Sequence, residues 1–214
     1  MSLATLLLLA DGRLPSGGHA HSAGLEAQVA AGRVRDVEDL GGFLRGKLAT
    51  GGLVSAAFAA AACSAPARHA ELDAGLDART PSPALRRASR AQGRALLRAG
   101  RAMWAVAGIG REPHQPVALG ALAAAAGLTP AQAAVAAAHG TLTGPASAAV
   151  RLLGLDPYAV HALLARLAPD CDRIAASAAA RSGDPVDDLP AAGAPLLDIG
   201  AEHHATWEVR LFAS

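Results

Sequence analysis

Leu14-Pro15-Ser16-Gly17-Gly18-His19-Ala20-His21-Ser22-Ala23-Gly24-Leu25-Glu26 separates two apolar segments, and its turn chemistry sets the pattern for the rest of the chain. Pro15 fixes its own φ and pushes Leu14 toward extended backbone. Gly17 and Gly18 admit backbone angles that other residues avoid, or the close approach of a second backbone. Ser22 is placed to cap a helix opening at Ala23. Glu26 follows four residues later, one further than a strict capping box. The stretch predicts a helix, a sharp turn and a second helix.

Composition extends this pattern to the whole chain. Hydrophobic residues make up 52% of the 214 and aromatics only 3%, because alanine carries much of the total. Alanine and leucine favour helix, and the β-branched and aromatic residues that favour strands are scarce. The expected fold is all-α. It is a single-domain bundle of about eight to ten helices over residues 1–181, with a linker and flexible C-terminal tail over 182–214. The 19 basic and 18 acidic residues nearly cancel, which argues against general affinity for nucleic acid or an anionic membrane. Cys63 and Cys171 lack metal-ligand spacing and read as free thiols in a reducing compartment. The apolar runs 2–10 and 53–63 are far shorter than the ~18 residues of a membrane span, and the first lacks signal-peptide flanks. A soluble, cytoplasmic protein is expected.

Helix boundaries are written in caps and prolines. Asp36 caps a helix through Leu40, Phe43, Leu44 and Leu48, and Gly51-Gly52 should break it before a small-residue helix over 53–63. Ser82-Pro83, Thr129-Pro130 and Asp156-Pro157 pair a cap with a first-turn proline. Gly144-Pro145 predicts a kink or break, and Pro169 the start of a further helix after Leu167. Gly41, Gly46 and Lys47 match part of a phosphate-binding loop. Leu48 stands where Ser or Thr is required and no strand precedes, so Lys47 reads as a solvated residue. Arg86, Arg90, Arg94 and Arg98 recur every fourth residue as a solvated face; aromatic residues for base stacking are missing. His69 reads as solvated and His139 as a satisfied core histidine.

Leu14, Pro15, Gly17, Gly18, Ser22, Gly24, Leu25 and Glu26 together resemble the N-terminal signature of the UreF family of urease accessory proteins. His19 and His21 stand where most members have aromatics. Ser89, Gln92 and Gly93 form S-x-x-QG, which resembles a second family segment. His204 occupies the place of the family's terminal His, with Ala205 where Glu usually follows. Arg210, Leu211, Phe212 and Ser214 match its RLF-x-S ending. The resemblance implies a non-enzymatic, dimerising scaffold that joins UreD (also called UreH) and the GTPase UreG, acts on apo-urease and supports nickel delivery. It implies no resident cofactor, and it implies partner contacts made by the chain ends. Arg210-Leu211-Phe212 beyond a flexible linker should be dispensable to a closed core and available to a partner. The alternative is a nickel-binding protein using His19 and His21 or His203 and His204, since imidazole suits nickel.

Overall fold

The computed structural model describes residues 2–214; Met1, the first residue of the expected 1–181 domain, lies outside the described residues. Among these the secondary structure is helical throughout: α1 (Leu3–Ala10), α2 (Leu25–Ala30), α3 (Val37–Lys47), α4 (Leu53–Ser64), α5 (His69–Arg79), α6 (Pro83–Arg101), α7 (Gln115–Ala125), α8 (Pro130–Leu153), α9 (Pro157–Ala179) and α10 (Pro195–Ala205). The caps fall where the sequence puts them. Asp36 accepts from Asp39 N–H, Ser82 from Leu85 N–H, and Thr129 and Gln132 form a reciprocal capping box.

The core is built around α4, which packs against α7, α8 and α9. Ala56, Ala57, Ala59, Ala60, Ala61 and Ala62 are fully buried there. Alanine supplies little side-chain area, so cohesion has to come from backbones brought close enough for dense dispersion contact. Gly120 of α7 shows how close. A Cβ added there would lie 2.3 Å from the Ala59 carbonyl oxygen. Gly93 of α6 meets the chain before α7 in the same way, with its hypothetical Cβ 2.0 Å from Pro113 O.

Several boundaries differ from expectation. Gly51-Gly52 do not break the helix. A π-helical turn, Leu48–Gly52, carries α3 into α4, and Thr50 Oγ1 donates to Gly46 O at 2.8 Å. A wider turn of this kind absorbs residues that would otherwise end the helix. The result, Val37–Ser64, is 28 residues long and apolar enough to cross a membrane, but 61% of its apolar window is buried in the core. Pro145 is buried inside an uninterrupted α8, and Pro169 sits inside an uninterrupted α9. At Pro169 the carbonyl left without its helical donor is that of Ala165, an exposed residue.

Side-chain placement also corrects the sequence reading. His69 is buried, its Nε2 3.0 Å from Ala62 O, whereas His139 is exposed. Lys47, the only lysine, is half-buried, and burial pushes its amine down to about 8. Arg90 is not a free surface cation: it bonds Asp73 and Asp77 at 2.9 and 2.6 Å and ties α6 to α5.

The largest correction concerns residues 182–214. The segment expected as linker and tail is folded against the body. Arg79 lies over the Phe58 ring and donates to the carbonyls of Val186, Asp187, Leu189 and Pro190, fixing a 3-10 turn at Val186–Asp188. Polar composition was a poor guide because one arginine satisfies backbone that would otherwise need water. Beyond it α10 packs on α6 and α2, and Phe212 enters the main core at 3% exposure. Phe212 is therefore part of the core expected to close without it, while Arg210 and Leu211 beside it are exposed.

Candidate functional site: the joined N-terminal turn and C-terminal segment

The N-terminal stretch forms a tight turn with three left-handed residues, Gly17 (φ 75°), Ala23 (φ 54°) and Gly24 (φ 90°). Ala23 is the single non-glycine residue with positive φ among the described residues. A left-handed alanine is strained, and it persists where its surroundings hold it. Here the strain delays the helix start to Leu25, two residues later than expected, and turns Ser22 and Glu26 inward. Ser22 still serves the helix end, its Oγ accepting from Glu26 N–H at 3.2 Å.

These two side chains grip the C-terminal segment. Ser22 N–H and Oγ–H both donate to Ser214 O, at 2.6 and 2.8 Å. Ala213 N–H donates to Ala20 O at 2.7 Å. The buried Glu26 carboxylate accepts from Leu211 N–H at 2.8 Å and Phe212 N–H at 3.1 Å. Its Oε2 also lies 2.8 Å from Nε2 of the buried His204. A carboxylate with three donors is well compensated for leaving water, and each donor would be left unpaired without it. His21 Nδ1 lies 2.7 Å from Ser214 Oγ. Burial, then the charge of neighbouring His19, holds the His21 imidazole below its usual range. Arg151 closes the joint, its guanidinium 4.9 Å from the Phe212 ring centre and bonded to His19 O.

Of the residues picked from sequence, Ser22, Gly24, Leu25, Glu26, His204 and Phe212 meet in this joint. Gly24 faces Leu197 of α10, and Leu14 and Leu25 are buried in the main core. Pro15, Gly18, Arg210 and Leu211 are exposed around it. Sequence reasoning missed Arg151 as a joint residue; an arginine near the end of an apolar helix gave no sign of its aromatic partner.

Ser89 and Gly93 lie elsewhere, at the α6–α7 junction. Ser89 Oγ accepts from Gln115 N–H and lies 3.0 Å from His114 Nδ1. His114 Nε2 is 2.9 Å from Asp77 Oδ1, and Asp73 accepts from His114 N–H. Partial burial raises the Asp77 carboxyl, but its bonds to His114 and Arg90 outweigh this and hold it below the usual range. Ser89, His114 and Asp77 thus form a chain of hydrogen bonds, in which Ser89 and the adjoining Asp73 also accept backbone N–H groups while Asp77 is held by the Arg90 side chain. Half-buried Gln92 makes no side-chain hydrogen bond among the described residues. Asp73 and Asp77 are the junction residues that sequence reasoning missed.

The histidine pairs are divided. Nε2 of His204 faces Glu26, while exposed His203 takes the Trp207 indole N–H at 3.3 Å. Among the described residues no three His, Cys, Asp or Glu side chains come together as a metal-binding group. The Cys63 and Cys171 thiols are buried and pushed up to about 11, the unreactive end of their range.

In both clusters polar side chains hold separate segments of the chain against one another. A family model described as UreF matches residues 34–168. The urease accessory protein UreF of Mycobacterium sp. (strain JLS) is 49% identical over 216 residues, covering 100% of this chain and 99% of that protein. That of Mycolicibacterium vanbaalenii is 48% identical over 219 residues, with the same coverage. That of Mycobacterium tuberculosis (strain H37Rv) is 42% identical over 216 residues. This chain belongs to the UreF family of urease accessory proteins, whose members are accessory proteins and not catalytic enzymes.

Proposed function

We propose that this chain is a cytoplasmic scaffold. As a homodimer it joins UreD (UreH) and the GTPase UreG in the complex that matures apo-urease by nickel insertion, and it regulates the GTPase. Nickel is handled by that complex and is not held tightly by this chain. The observation that carries the reading is the alternation in the C-terminal segment. Phe212 is anchored in the core, while Val209 and Leu211 are 87% and 72% exposed. Large apolar side chains displayed on a segment pinned by buried polar bonds suit a docking surface.

The test is size-exclusion chromatography with light scattering on the full chain, alone and mixed with UreD and UreG. The expected result is a dimer alone and a defined complex in the mixture. A Val209→Asp, Leu211→Asp double variant should keep its helical signal and melting temperature while losing the complex. A wild-type chain that ignores both partners would overturn the reading.

A further inference from the structure

Only half of the expected row of arginines on α6, Arg94 and Arg98, faces solvent. Arg86 and Arg90 turn aside: Arg86 donates to Thr80 O and Pro81 O, and Arg90 bonds Asp73 and Asp77. The exposed set is instead Arg87, Arg94, Arg98 and Arg101. These are separated by seven, four and three residues. At about 100° per residue they fall within roughly 60° of arc and extend along about 21 Å of helix. Arg87, Arg98 and Arg101 have no carboxylate within ion-pair distance among the described residues. Arg94 pairs with Glu112 where both side chains are 56% exposed, a contact water screens heavily. Glu202 of α10 also lies within reach of the Arg87 charge. Its bonds from Ser82 and Ala84 hold it below its usual range, with Arg87 and Arg86 adding to that.

We propose that this stripe docks a partner protein presenting a row of carboxylates, such as an acidic helix, within the assembly named above, on which the proposal rests. Guanidinium groups spaced four and three residues apart match carboxylates on a facing helix and pair with them bidentately. Nucleic acid fits less well, because no aromatic side chain interleaves the stripe and the net charge is only +1. A second copy does not complement it. Among the described residues, the acids outside any ion pair (Asp36, Glu38, Asp156, Asp172, Asp187, Asp188, Asp198, Glu202 and Glu208) are spread over α3, α9, the 186–188 turn, α10 and the C-terminal segment.

The test measures binding of the full-length protein to UreD, UreG and apo-urease, each separately, between 50 and 300 mM salt. It compares wild type with Arg98→Glu/Arg101→Glu and with Arg45→Glu/Arg166→Glu, exposed arginines elsewhere that make the same change in net charge. Arg98→Gln/Arg101→Gln repeats the measurement without charge reversal, and circular dichroism confirms folding. The expected result is a loss of roughly tenfold or more for one partner in the α6 variant, with a flatter salt dependence and little change in the control. Equal binding by the α6 variant, or equal loss in the control, overturns the stripe and leaves the scaffold reading intact. A wild type that binds none of the three overturns both. Duplex DNA bound by wild type and lost in the α6 variant overturns the choice of partner.

Discussion

The alanine-rich body around α4 and the joint between the chain ends hold together by opposite means. In the body, contact comes from small side chains and glycines that let backbones touch, so the fold is sensitive to added atoms. In the joint, cohesion comes from one carboxylate, one hydroxyl and one aromatic ring, so it is sensitive to removed atoms. A single chain can therefore have a rigid interior that tolerates no growth and a closure that depends on a few donors and acceptors.

The strongest way to break the contrast is to add volume where the backbones meet. Gly120→Val should destabilise the protein by about 3 kcal/mol or more, because its Cβ meets the Ala59 carbonyl and neither helix can give way locally. Chemical denaturation would show it as a lower midpoint with an unchanged slope. If Gly120→Val were neutral, the body would not be addition-sensitive.

Deletion in the joint should come next. Glu26→Ala leaves the Leu211 and Phe212 amides and His204 without their acceptor, at about 2 kcal/mol. The loss should appear as faster hydrogen exchange over 204–214 while α4 and α8 stay protected, since the ends can undock without opening the body.

The smallest effect is a pH dependence. The folded His21 pKa lies below its unfolded value of about 6.5, so the neutral ring is the one the joint favours. That contribution is present above about pH 6.5 and is lost as pH falls through the folded value. Exchange at 213–214 should accelerate on acidification through that range, and His21→Gln should remove the dependence. A variant with the wild-type profile would place the proton elsewhere.

How much of this was legible in the sequence follows the same division. Caps and first-turn prolines act over three or four residues, so Ser82-Pro83, Thr129-Pro130 and Asp156-Pro157 marked their helices correctly. The breakers failed where tertiary packing overrides local preference: Gly51-Gly52 became a π turn and Pro145 was swallowed by α8. The site was readable as two motifs, but their meeting was not. Nothing local to Glu26 signals that its acceptors serve amides near residue 212. The polar stretch over 182–195 looked unstructured because the side chain that orders it, Arg79, lies more than a hundred residues earlier.

Lys47 has a practical consequence. Because it is the chain's only lysine and its amine is pushed down to about 8, it is substantially unprotonated in mildly alkaline buffer. A small acylating dye would mark this one side chain, with no other side-chain amine to compete for it. The label would sit at the start of the π turn, where it could report optically on any bending between α3 and α4.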